Sequence, residues 1–93
     1  PSGHWIDAPP VENSFIVNVG DMLHHLSNGQ LLSTPHRVIN RTGKERYSIP
    51  FFFDPNVTSD IAPLPGTGEA KFETLNFGVF LKNELEASYK AHQ

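Results

Sequence analysis

The pattern of apolar and polar positions gives short alternating runs through most of the chain and a helical spacing only towards its C-terminal end. Ser14 to Val19 (S-F-I-V-N-V) carries the strongest strand signal. Phe15, Val17 and Val19 share one face, and Ile16 lies on the other with Ser14 and Asn18. A strand apolar at most positions predicts cover on both sides. Before it, His4 to Asp7 reads as a short strand stopped by Ala8-Pro9-Pro10, since proline cannot donate to a ladder. After it, Gly20-Asp21 turns the chain. Met22 to Leu26 reads as one helical turn with Asp21 as its N-cap.

Ser27-Asn28-Gly29 reads as a tight turn, with Asn28 and Gly29 suited to positive φ. Gln30 to Ser33 is a short strand, and Thr34-Pro35 leads into His36. Two extended runs, Arg37-Val38-Ile39 and Tyr47-Ser48-Ile49, flank a polar turn from Asn40 to Lys44. Phe51, Phe52 and Phe53 are predicted to be core on both faces of a buried strand. The stretch 57–68, with Pro63, Pro65, Gly66 and Gly68, is predicted to wrap the outside of the sheet, and Lys71 to Glu73 to extend. Leu75 or Asn76 to about Tyr89 is the one convincing helix. Phe77, Phe80, Leu81, Leu85, Ser88 and Tyr89 follow its period, with Lys82, Glu84, Glu86 and Lys90 towards water. Gly78 weakens it near its start.

Composition narrows the function classes. The 93 residues suit one small domain or part of a larger one. Seven basic and ten acidic residues give a net charge of −3, with no basic stripe, so no nucleic-acid partner is expected. No apolar run reaches membrane-spanning length and no signal-peptide pattern opens the chain, so no membrane is expected as a partner. The absence of cysteine removes disulfides and thiolate metal sites, and fits a cytoplasmic location. The abrupt opening on Pro1-Ser2-Gly3, with Trp5 and Ile6 following at once, reads as a cut through a domain.

The candidate chemistry lies between His36 and Ser48. Arg46 and Ser48 are two apart, so on a strand they point the same way. If the two runs close as a simple hairpin about Thr42, His36 falls opposite Ser48 and Val38 opposite Arg46. One face then carries an imidazole, a guanidinium and a hydroxyl. A neutral imidazole ligates a divalent transition metal. A guanidinium grips a carboxylate through two parallel hydrogen bonds, and a hydroxyl adds a third. A small dicarboxylic acid could thus be held by Arg46 and Ser48 while its other end meets a metal on His36. From spacing alone the simpler alternative is favoured, in which Arg46 pairs with a surface acid and His36 packs. His24 and His25 diverge by about 100° on a helix and read as a solvated pair. A zinc site combining one of them with His36 is a weaker alternative. His4 and His92, near the ends, read as solvated.

Several motifs in order resemble a known family. V-N-V-G-D-M-L (Val17 to Leu23), L-S-N-G (Leu26 to Gly29), S-T-P-H-R-V (Ser33 to Val38) and R-Y-S-I-P-F-F (Arg46 to Phe52) are similar to the C-terminal half of the isopenicillin N synthase-like Fe(II)/2-oxoglutarate-dependent oxygenases. The opening G-H-W-I-D-A-P-P and the helix ending in S-Y-K also resemble it. The resemblance implies a mainly β fold, part of a double-stranded β-helix (jelly roll), with residues 1–93 forming the C-terminal half of the domain and 75–90 its C-terminal helix. It implies Fe(II), 2-oxoglutarate as cosubstrate and O2. His36 is then the distal iron-binding histidine, and Arg46 and Ser48 bind the far carboxylate of 2-oxoglutarate. The implied reaction couples oxidative decarboxylation of 2-oxoglutarate to hydroxylation, desaturation or ring closure of a small organic substrate. The family's His-x-Asp iron pair has no match here, since His4 is followed two positions later by Ile6. The expectation is therefore a C-terminal fragment, inactive alone, whose partner is the missing N-terminal half of the same domain. The competing expectation is a non-catalytic jelly-roll binding module.

Overall fold

The computed structural model describes residues 2–91. It contains a short helix α1 (Asp21–Leu26), two short strands β1 (Asp60–Ile61) and β2 (Leu75–Asn76), and a longer helix α2 (Phe77–Ala91). β1 and β2 pair antiparallel, with Asp60 opposite Asn76 and Ile61 opposite Leu75. The predicted C-terminal helix forms close to its expected span. It starts at Phe77 because Leu75 and Asn76 are taken by the ladder. Its first turn is capped by Asn76, whose Oδ1 accepts a hydrogen bond from the Val79 N–H at 3.1 Å.

The packed part of the molecule is the block from about residue 57 to residue 81, seated on α1. Ile61 and Phe77 are the buried apolar side chains, and Phe80 and Leu81 are half-buried beside them. Backbone bonds close the block: Phe77 N–H to Ser59 O at 2.9 Å, Gly78 N–H to Val57 O at 3.0 Å, and Leu64 N–H to Leu26 O at 2.9 Å. The stretch 57–68, expected to wrap the outside of a sheet, instead carries β1 and its core residue Ile61. Its prolines suppress long strands and leave a path that follows α1. Gly78 is needed where it stands. A Cβ there would lie 2.8 Å from the Val57 carbonyl oxygen, so the helix meets residue 57 only without a side chain.

α1 replaces the predicted turn at Met22 to Leu26, with one correction. Gly20, with extended backbone (φ −96°, ψ −178°), is the N-cap, and Asp21 makes no capping bond. Gly20 already holds the non-helical cap conformation, which moves Asp21 one position inside, where its charge meets the positive helix end. The turn after α1 matches expectation, with Asn28 at φ 56° and Gly29 at φ 82°.

The predicted strands at 4–7, 14–19, 30–33, 37–39 and 47–53 do not form ladders among the described residues; β1 and β2 are the one pairing there. Phe15 is 96% exposed, and Phe51, Phe52 and Phe53, expected as core, are 86%, 76% and 95% exposed. A strand exists only with a partner, and no second layer among the described residues lies over these side chains. The radius of gyration is 16.1 Å, against about 12 Å for a compact domain of this length. The mainly β architecture is represented here by one short ladder. No helix among the described residues is long and apolar enough to cross a membrane. His92 lies outside the described residues.

Candidate functional site

His36 lies in a segment without regular secondary structure that follows the bend at Leu31. Both polar groups of Leu31 are held by α1 and its turn. Its N–H donates to Ser27 Oγ at 2.9 Å, and its carbonyl accepts from His24 Nδ1 at 2.7 Å. Pro35 restricts Thr34 to extended backbone and supplies a fixed φ of its own. The Thr34 carbonyl lies 3.0 Å from His36 Nδ1. Residues 32–36 and, from α1, Asp21 and His24 line an open depression of about 580 Å³.

The acceptors fix the tautomers of the three central histidines. A carbonyl oxygen only accepts, so the ring nitrogen facing it carries the proton. In the neutral ring, His36 therefore has Nδ1–H bonded to Thr34 O and its lone pair on Nε2. His24 is likewise protonated at Nδ1. His25 donates from Nε2 to the Glu73 carbonyl at 2.9 Å. His24 and His25, read from the sequence as a solvated pair, are instead half-buried. Both pack on Phe72, with ring centroids 5.4 and 4.9 Å away. They are occupied in joining α1 to the C-terminal block.

Arg46 and Ser48 are exposed. They follow the predicted turn, which forms as expected: Asn40 Oδ1 accepts from the Thr42 N–H at 3.1 Å and hydroxyl at 2.8 Å, Asn40 Nδ2 donates to Lys44 O at 2.7 Å, and Gly43 has φ 70°. The flanking runs do not pair, so Arg46 and Ser48 do not join His36 in lining the depression. Neither makes a hydrogen bond or ion pair with another described residue. Beside His36, Arg37 places its guanidinium carbon 4.1 Å from the centre of the Trp5 ring, a cation–π contact.

The donor set fits one share of a metal site. An imidazole whose Nδ1–H is held by a carbonyl presents Nε2 in the tautomer and orientation a metal takes. Among the described residues no three His, Asp or Glu side chains gather closely enough to hold an ion. Sequence reading gave no sign of Asn28's importance beyond its turn. The Asn-Gly pair announces positive φ, and nothing in a single sequence announces that the Asn side chain is 1% exposed and fully bonded.

The chain is similar to known proteins throughout its length. The family model of the 2OG-Fe(II) oxygenase superfamily matches residues 1–55, which include His36, Arg46 and Ser48. A 2-oxoglutarate-Fe(II) type oxidoreductase of Emericella nidulans is 38% identical over 90 residues, 97% of this chain and 26% of the relative. A homoarginine-6-hydroxylase of Glycine max is 38% identical over 93 residues, covering 95% of this chain and 28% of the relative. A 1-aminocyclopropane-1-carboxylate oxidase of Dictyostelium discoideum is 51% identical over 59 residues, 62% of this chain and 16% of the relative. The chain spans between 15% and 28% of the length of the curated relatives it matches. No solved structure matches it significantly. The family is one of Fe(II), 2-oxoglutarate and O2 chemistry on a jelly-roll fold, and the chain belongs to it: it is part of the 2OG-Fe(II) oxygenase superfamily.

Proposed function

We propose that residues 1–93 form the C-terminal half of an Fe(II)/2-oxoglutarate-dependent oxygenase domain, with α2 (Phe77–Ala91) as its C-terminal helix. In this reading His36 supplies one iron-binding imidazole, and Arg46 and Ser48 receive the far carboxylate of 2-oxoglutarate. The remaining His-x-Asp pair comes from chain outside these residues, so the 93 residues alone are inactive. The observation that carries the reading is the His36 ring: Nδ1–H is bonded to Thr34 O, and in the neutral ring Nε2 keeps its lone pair for a metal, within the segment matched by the family.

The chain's own residues have defined tasks. Thr34 holds His36 in the metal-binding tautomer. The Arg46 guanidinium aligns the cosubstrate by a bidentate charge-assisted contact, and the Ser48 hydroxyl donates to the same carboxylate. Iron, if held by His36 and the other ligands, would supply O2-dependent chemistry, in which O2 accepts two electrons as 2-oxoglutarate becomes succinate and CO2 and two more from a small organic substrate. The open Arg46 and Ser48, unpaired with other described residues, are available for an external anion.

The test is a pair of titrations on the whole protein. His36→Ala is expected to lower Fe(II) affinity by about 100-fold and leave 2-oxoglutarate contacts at Arg46 to be read separately. Arg46→Ala is expected to weaken 2-oxoglutarate binding by roughly 10- to 100-fold, the worth of a charge-assisted bidentate pair, with Fe(II) affinity kept within about threefold. Unchanged 2-oxoglutarate affinity in Arg46→Ala removes the cosubstrate assignment. Unchanged Fe(II) affinity in His36→Ala removes the metal assignment.

A further inference from the structure

The most buried side chain described is polar. Asn28, 1% exposed, sits at the end of the α1 turn and uses both ends of its amide. Nδ2 donates to Thr67 O at 3.1 Å and to Glu69 O at 2.7 Å, while Oδ1 accepts from the Lys71 N–H at 2.8 Å. Gln30 Nε2 reaches the same Thr67 carbonyl at 3.3 Å. These bonds join residues about 40 positions apart in sequence, and link the family-matched segment to chain beyond it. A buried amide with all its partners is a specific tie, since losing one side leaves the other unsatisfied.

The tie continues towards His36. Asn28 N–H bonds to His25 O at 3.0 Å and Gly29 N–H to His24 O at 2.8 Å, so the turn is locked onto α1. Ser27 Oγ donates to His24 O at 3.1 Å and accepts from the Leu31 N–H. His24 holds the Leu31 carbonyl from the other side and is backed by Phe72. Leu31 lies five residues before His36 in the segment that carries it, and His24 and His36 line one depression. We infer that Asn28 is a positioning residue for His36: it moulds the 67–71 loop onto the α1 turn, the turn fixes Leu31 at both its polar groups, and Leu31 sets where the His36 imidazole stands. The metal part of this inference rests on the proposed function; the mechanical coupling does not.

The experiment compares Asn28→Gly with the unaltered whole protein. Glycine keeps the positive φ of 56° without strain and removes only the side-chain bonds. Three signals are read: amide hydrogen exchange at Lys71 and Leu31, the ring ¹⁵N shifts of His36, and Co(II) affinity. The coupling predicts exchange at both amides faster by about tenfold or more, a changed His36 nitrogen pattern, and Co(II) affinity lower by roughly 10- to 100-fold, the usual cost of losing a group that orients a ligand. Faster exchange at Lys71 with Leu31, His36 and Co(II) affinity all unchanged overturns it, leaving Asn28 a local staple only. If the unaltered protein takes up no Co(II), the oxygenase reading fails, and the Leu31 and His36 signals still decide the coupling. Should Asn28→Gly fail to fold, Ser27→Ala cuts the same path one step later. It is expected to alter Leu31, His36 and Co(II) affinity while leaving Lys71 exchange unchanged, and no change at His36 refutes the inference.

Discussion

At the scale of single residues, Gly29 and Gly78 have opposite reasons for being there. Gly29 is set by its φ of 82°. Its added Cβ would find only ordinary contacts, the nearest at 3.6 Å from Phe72, so conformation and not space excludes other residues. Gly78 is set by space, since its Cβ would press on the Val57 carbonyl at 2.8 Å. Helix propensity alone says that Gly78→Ala should gain about 1 kcal/mol. The contact reverses the sign, and the variant is expected to lose about 1–3 kcal/mol, the cost of overpacking a tight approach, read as a lower urea midpoint. From the sequence Gly78 was legible only as a weak helix start. The carbonyl it meets comes from residue 57, and nothing local announces that approach. Alternation grouped His36, Arg46 and Ser48 on one face of a hairpin that does not form among the described residues; their proposed roles come from the linked motifs of the family. Asn28 was not legible, because its partners are some 40 residues away.

At the scale of elements, α2 shows what periodicity can and cannot give. The spacing of Phe77, Phe80 and Leu81 located the buried face correctly, since those side chains turn towards the block around Ile61. The same stripe continues through Leu85 and Tyr89, which are 49% and 71% exposed. An apolar stripe records a side that can be covered, and the covering surface here ends after one turn and a half. The anchoring therefore lies in the first turn. Phe77→Ala is expected to cost about 3–5 kcal/mol and detach the helix, whereas Tyr89→Ala is expected to stay within about 0.5 kcal/mol. Circular dichroism with urea melts of both variants checks the contrast. The Lys82–Glu86 pair, 4.0 Å apart and exposed on both sides, adds little to either outcome. The strand predictions failed for a related reason: the alternation in Ser14 to Val19 is real, but a ladder is a property of two segments and the sequence of one cannot supply it.

At the scale of the whole molecule, the fully buried residues among those described lie in the C-terminal block and the turn after α1, while the stretch holding the candidate iron and carboxylate ligands lies open. Phe15, Phe51 and Phe53 are almost fully in water, a condition that invites association with other apolar surface. The slope of denaturant unfolding follows the surface exposed on unfolding. The isolated 93 residues are therefore expected to unfold in urea with a slope below about 1 kcal/mol/M and to bind a hydrophobic dye in the absence of denaturant. A steep, dye-free transition would mean that the aromatic strands pack after all. The family membership and its cosubstrate chemistry were readable from linked motifs, each a few residues long. The jelly roll is what that family implies, and its layers do not form among the described residues, because they depend on surfaces brought from far along a chain.

The stacking of Arg37 on Trp5 makes the molecule its own optical instrument. Trp5 is the sole indole in the sequence, and a cation 4.1 Å from its ring centre shifts and dims emission according to how closely it sits. The cation belongs to the residue that follows His36. A ligand at His36 that displaces Arg37 is therefore expected to change Trp5 emission, a readout that needs neither a label nor turnover.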